Sequence, residues 1–207
     1  MAGELFTEAE RERIRQAVVA AEANTSGEIA TVVVAGSDRY PEAEVLGGVL
    51  LAALLALIAS IIFHHGQIWF YLPLTFLLYF PCFAFLRKVP AMKLALVSRP
   101  RRDQAVRDCA VRSFYEKGLH RTRNETGVLI FISRLERKVW ILGDRGIDSR
   151  ISPEGWQKLA STLSRGIREG RACDALCAII AQCGEELARH FPRQTDDANE
   201  LSDEVLD

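Results

Sequence analysis

Several things are scarce or missing from this chain, and each absence narrows the reading. Met1 to Glu22 is a charged stretch without the basic start, apolar centre and small-residue cleavage site of a secretory signal, so no processing is expected there. Five cysteines, Cys82, Cys109, Cys173, Cys177 and Cys183, show no spacing of a disulfide framework, and a reducing compartment is the simpler expectation. A charge excess of one sign is also missing: 26 Lys and Arg face 27 Asp and Glu. That balance hides an asymmetry, with basic residues crowded between Arg87 and Arg102 and acidic ones collected at the C-terminal end. No interleaved aromatic and arginine platform for single-stranded nucleic acid occurs, so no nucleic-acid partner is expected. A compact set of nucleophile, base and orienting group is likewise lacking.

What is present in abundance is apolar sequence in two adjacent runs. Leu46 to Phe63 and Ile68 to Leu86 contain no Asp, Glu, Lys or Arg. As helices rising about 1.5 Å per residue, each approaches the thickness of a bilayer core of about 30 Å. The second run carries Trp69, Tyr71 and Tyr79, aromatics suited to membrane interfaces, and Pro73 and Pro81, which kink or frame a membrane helix without forbidding it. The link His64-His65-Gly66-Gln67 is short enough to force an antiparallel hairpin, and its two histidines read as polar turn residues more readily than as a metal site. Arg87, Lys88, Lys93, Arg99, Arg101 and Arg102 follow the second run. The positive-inside rule then predicts a multi-pass protein of the cell inner membrane with both termini cytoplasmic, and anionic lipid headgroups account for the basic stretch.

The remainder reads as one small α/β domain, since typical domains run to about 100–150 residues. Thr7-Glu8-Ala9-Glu10 fits a capping box, and Ile14, Ala17, Val18 and Ala21 continue a helix to about Asn24. Glu28 to Ala35 is β-branched and almost continuously apolar, the signature of a strand covered on both faces. Arg101 to Leu119 reads as a helix closing at Gly118. Val128 to Ser133 and Val139 to Gly143 form a β-hairpin around Arg134 to Lys138. Strand, crossover helix and strand make a right-handed βαβ unit with parallel strands. Ser152-Pro153 starts a helix with Trp156, Leu159, Ala160, Leu163 and Ile167 inward, and Leu176, Ile179, Ile180, Cys183 and Leu187 mark a last one before Pro192. Cys173 and Cys177 read as small buried residues. The tail from Arg193 to Asp207 is acidic and expected to be mobile.

These elements carry short motifs in a fixed order: Thr25-Ser26-Gly27-Glu28-Ile29, Gly118-Leu119-His120-Arg121-Thr122, Thr126-Gly127-Val128-Leu129-Ile130, Glu136-Arg137-Lys138-Val139 and Gly143-Asp144-Arg145-Gly146-Ile147. They close on His190-Phe191-Pro192 and on Asn199 to Val205. In this order the chain resembles the TPM domain family, in a bacterial membrane-anchored branch. The resemblance implies a small α/β/α sandwich with the two-helix transmembrane hairpin inserted after the first strand, occasional calcium binding near the strand ends, and a phosphatase activity claimed for some members. Family members often have Gly-Arg-Gly-Leu-Glu where this chain has Gly-Asp-Arg-Gly-Ile-Asp.

The organisation expected is residues 1–44 and 89–192 as the two parts of the domain, 45–88 as the hairpin and 193–207 as the tail. Divalent cations need several converging oxygens, and Glu28, Asp144, Asp148 and Glu154 are the carboxylates such a fold can gather, with Ca as the candidate ion. The alternative is a solvated turn at Asp144 and Asp148, with Glu154 stabilising a helix start. The functional expectation is a membrane-anchored module that binds a partner protein, a divalent cation, or both, at the cytoplasmic membrane face. Its partners are the lipid bilayer and an unidentified membrane or cytoplasmic protein docking on the acidic tail. The competing class is a membrane-bound phosphatase-like hydrolase, in which His120, Arg121 and Arg123 meet a phosphate; a third is a purely structural subunit.

Overall fold

A computed structural model describes residues 5–64, 67–122, 125–151, 153–193 and 205–206. The chain divides into two compact units, one of residues 1–37 with 105–207 and one of residues 38–104. His65, Gly66, Arg123, Ser152 and 194–204, on which the link, the phosphate contact, a helix cap and most of the tail were read, lie outside the described residues.

The first unit is built on a sheet of order β3-β2-β1-β4. Strand β1 (Glu28–Val34) runs parallel to β2 (Gly127–Ser133), with Glu28 opposite Gly127 and Val34 opposite Ser133. Strand β3 (Lys138–Gly143) returns antiparallel along β2. The β-branched runs form strands because both faces of β1 and β2 are covered. Ile29, Val33, Val128, Ile130, Ile132 and Ile141 enter one apolar cluster, while Ala30, Val32, Leu129 and Phe131 enter another on the opposite face. A period of two sends alternate side chains to opposite faces, so a strand apolar at nearly every position needs cover on both.

Helices supply that cover. Helix α1 (Glu8–Glu22) begins at the expected capping box: the Glu10 N–H donates to the Thr7 hydroxyl, and the Thr7 N–H donates to the Glu10 carboxylate at 2.8 Å. Ile14 and Val18 of α1, Trp156 and Leu163 of α7 (Pro153–Arg168), and Leu176, Ile180 and Leu187 of α8 (Ala172–His190) fill the first cluster. Val106, Ala110 and Phe114 of α5 (Arg99–Glu116) fill the second. Helix α5 is stopped by Gly118 at φ 79°, a left-handed backbone that glycine adopts without steric cost. At Gly127 a side chain has no room, because a Cβ there would stand 2.7 Å from the Leu119 carbonyl oxygen.

Two elements depart from expectation. The segment after β3, read as a solvated turn in the alternative above, is a short helix α6 (Arg145–Asp148) with Asp144 as its N-cap. The tail was expected to be mobile, yet Val205–Leu206 is strand β4, parallel to β1, with Val205 buried. The reason lies in β1, whose outer edge presents unpaired backbone groups that an extended neighbour satisfies.

The second unit holds α2 (Pro41–His64), α3 (Ile68–Lys88) and α4 (Pro90–Leu96). Helix α4 was not expected; Pro90 at its first turn fits a helix start. Helices α2 and α3 are both long and apolar enough to cross a membrane, and only 28 % and 6 % of their apolar stretches are buried. They pack through small residues. Ala52, Ala56 and Ser60, at four-residue spacing, are buried, and a Cβ at Gly48 would stand 3.3 Å from the Phe83 backbone. Large apolar side chains point outward, with Phe63 72 % and Trp69 83 % exposed. Below the hairpin, buried Lys93 donates to Glu44 at 2.7 Å and to the Arg39 carbonyl at 3.3 Å.

In the first unit the turn between β2 and β3 is tied by Glu136. Its buried carboxylate accepts the Ser37 N–H at 3.2 Å and the Ser133 hydroxyl. Glu136→Ala should therefore destabilise the chain by about 1–3 kcal/mol, and Glu136→Gln by less, because removing a buried acceptor strands its donors; thermal unfolding followed by circular dichroism in detergent measures both.

Candidate functional site

Parallel pairing of β1 and β2, with β3 antiparallel, fixes which side chains share a sheet end. The strand starts Glu28 and Gly127 and the strand end Gly143 lie together. Asp144 follows directly, and its N–H donates to the Gly127 carbonyl at 2.8 Å. One Asp144 oxygen accepts the Arg145 N–H at 2.7 Å; the other, Oδ2, is buried without a hydrogen-bond partner. Asp148, one turn along α6, sets an oxygen 3.0 Å from where a Gly143 Cβ would lie. Burial, and then the charge of Asp144, push its carboxyl pKa above the ordinary value. Glu154 sits in the first turn of α7 and is exposed. The structure thus brings Glu28, Asp144 and Asp148 to one sheet end. It does not assemble all four carboxylates as a ligand set: among the described residues no three His, Cys, Asp or Glu side chains converge to hold a metal ion.

His120 lies in a short 3-10 turn, Leu119–Arg121, with its ring 5.1 Å from that of Tyr115 and its Nδ1 buried without a hydrogen-bond partner. The thiols of Cys109, Cys173 and Cys183 are held protonated. Burial raises Cys109, pushes Cys173 up to about 11 with Cys177 beside it, and pushes Cys183 up to about 12. Thiolates are the nucleophilic form, so these cysteines are poor nucleophiles at neutral pH.

The opposite sheet end holds a feature that was not anticipated. A cavity of about 410 Å³ is lined by Ile132, Val139 and Ile167 and by Arg134, Arg137, Lys138 and Arg168. A second of about 400 Å³ is lined by Leu5, Phe6, Val33, Val34 and Ala35 with Arg11 and Arg134. Leu5 and Arg134 line both. These residues lie at the carboxyl ends of the parallel strands, where ligands of open α/β sheets usually bind. Hydrophobic period reveals none of this, because the cations come from α1, the β2–β3 turn and the end of α7.

The family model of the TPM domain matches residues 91–186. The chain contains a TPM domain. The matched span starts after the apolar hairpin, whereas the sheet also includes β1, which precedes it. The fold is similar to that of the BA42 protein of the psychrophilic bacterium Bizionia argentinensis, solved by NMR, at a TM-score of 0.62 and 20% identity over 100% of this chain and 97% of that one. No curated protein matches the chain.

The raised carboxyl of Asp148 has a consequence for stability. Its proton is held more tightly in the folded state, so its contribution is present in full below the unfolded carboxylate range and is lost as pH rises through the folded value. Asp148→Asn should raise the melting temperature at neutral pH, with the advantage over the unaltered chain vanishing by about pH 3–4. Melting curves of both chains across that range check it.

Proposed function

We propose that this protein is a membrane-anchored TPM domain that acts by binding a partner protein at the cytoplasmic face of the inner membrane, with α2 and α3 as a transmembrane hairpin. The observation that carries the reading is the inside-out packing of the hairpin. Small residues Gly48, Ala52, Ala56 and Ser60 face α3, while Phe63, Trp69, Phe76 and Leu77 face outward. Helices in lipid associate through such small-residue seams and turn large apolar side chains to the acyl chains. A soluble helical pair reverses this arrangement. Arg87 and Lys88, in the last turn of α3, support cytoplasmic termini.

A divalent cation at Asp144 and Asp148 is a second reading. It is favoured by the buried, unpartnered Asp144 Oδ2 beside a carboxyl whose ionisation is opposed. Backbone carbonyls and water would complete the oxygen shell of such an ion.

Three experiments test these readings. After alkaline carbonate extraction the chain should stay with the membrane pellet; release into the supernatant would exclude spanning helices. An alkaline phosphatase reporter joined after Asp207 should be inactive and a fluorescent protein there bright, and the reverse pattern would invert the orientation. Calcium or magnesium should raise the melting temperature of the detergent-solubilised chain, and Asp144→Ala and Asp148→Ala should abolish the rise; no shift in the unaltered chain would dispose of the cation.

A further inference from the structure

The cavity of about 410 Å³ between the β2–β3 turn and the end of α7 has a one-sided charge. Arg134, Arg137, Lys138 and Arg168 line it, and among the described residues no Asp or Glu does. Elsewhere in the first unit arginines are answered by carboxylates, Arg13 by Asp174 and Arg189 by Glu186, each at 2.8 Å. Among the described residues Arg134, Arg137 and Arg168 have no carboxylate at ion-pair distance. Guanidiniums gathered on one concave surface repel one another, and an anion seated among them removes that repulsion. The local backbone helps to place two of the three. Arg168 ends α7 and donates through Nε to the Ser164 carbonyl at 3.3 Å, which holds its fork at the cavity rim. Arg137 closes the β2–β3 turn at φ 54°, its N–H donating to the Arg134 carbonyl at 3.3 Å. That is left-handed backbone, which glycine adopts freely and arginine does not, so turn chemistry alone would not select this residue. The floor is apolar. Ile132 is buried, while Leu5, Val139 and Ile167 are half-buried against the first cluster and keep surface toward the cavity.

We propose that this cavity is a binding site for a small organic phosphate, a monoester whose other half is an apolar ring or short chain. The headgroup follows from the donors. One guanidinium satisfies a carboxylate in a bidentate pair, whereas the three terminal oxygens of a doubly charged phosphate accept the forks of several. The apolar half follows from the floor, because Leu5, Val139 and Ile167 hold apolar surface that a ring or chain would remove from water. The volume falls within the range of about 300–1,000 Å³ usual for small-molecule sites. This is not the phosphate contact expected at His120. That residue belongs to the turn whose Leu119 stands against Gly127, at the opposite end of the sheet. A soluble phosphate ester and the phosphate end of a phosphatidate lipid share the required chemistry.

The test titrates the full chain in maltoside detergent with phenylphosphonate, followed by the phosphorus NMR shift at a pH where the ligand is doubly charged. Phenylphosphonate has a phosphorus–carbon bond in place of the ester, so the reading is of binding alone. Saturable binding is expected, weakened at least about tenfold by Arg134→Ala or Arg168→Ala through loss of a charge-assisted hydrogen bond. Arg137→Gly should weaken it as well while the melting temperature stays level or rises, since glycine accepts φ 54° without strain. That combination separates a ligand-binding arginine from one that only supports the fold. Full affinity in Arg137→Gly and in Arg134→Ala would overturn the site, as would the absence of a saturable shift at millimolar phenylphosphonate. Arg165, exposed on α7 but outside the cavity lining, is the control: an equal loss in Arg165→Ala would reduce binding to general charge attraction and overturn the site. Methylphosphonate carries the same headgroup without the ring, and if it binds as tightly the apolar half of the proposal fails. Phosphatidate in mixed micelles that displaces phenylphosphonate, where phosphatidylcholine does not, supports the site with a lipid as its source. Binding that phosphatidate leaves intact supports it with a soluble ester.

Discussion

Everything in the first unit depends on the parallel ladder between β1 and β2. Parallel neighbours cannot be joined by a tight turn; the chain must leave one end of the sheet and come back to the other. Here the connection from Val34 to Gly127 contains α2, α3, α4 and α5. The length requirement is met by α5 alone, whose Val106, Ala110 and Phe114 cover one sheet face. The remaining residues of the crossover are therefore relieved of any duty to the sheet, and an apolar hairpin can occupy them without altering the register from Glu28 to Val34.

That ladder also explains what was legible in the amino-acid sequence. β1 and β2 are readable because burial on both faces demands a nearly continuous apolar run rich in β-branched residues, as in Ile29 to Val34 and Val128 to Ile132. The hairpin to β3 is readable from the polar turn Arg134 to Lys138. Helices α1 and α7 announce themselves by cap residues and apolar period, and α8 by its period alone. β4 is not readable, because Val205 and Leu206 lie in an acidic run without strand alternation and are strand by virtue of the edge beside them. The short α4 is hidden for a related reason: Pro90 to Leu96 sits within a stretch whose basic character suggests a lipid flank. The carboxylates at the strand ends were legible as a group, since parallel topology brings Glu28 and Asp144 to one end, but a sequence does not show whether carboxylates converge. Glu154 is carried away on α7.

The basic stretch after the hairpin is less free than its composition suggests. Lys93 is buried against Glu44, and Arg101 reaches Asp38 at 2.5 Å and Glu42 at 3.1 Å while its guanidinium lies 5.5 Å from the Tyr40 ring. The Asp38 carboxyl is lowered despite its burial, because Arg101 and two backbone N–H groups bond its charged form. A buried pair such as Lys93 with Glu44 contributes little net stability, since desolvation offsets attraction, but removing one partner alone is costly. These cations thus organise the second unit.

The two sheet ends carry opposite charge. Carboxylates stand where the parallel strands begin, and Arg11, Arg134, Arg137, Lys138 and Arg168 stand where they finish. The topology sets this polarity: the parallel pairing puts the starts Glu28 and Gly127 at one end, the antiparallel return of β3 brings Gly143 and Asp144 back to that same end, and the turn that makes the return leaves Arg134, Arg137 and Lys138 at the other.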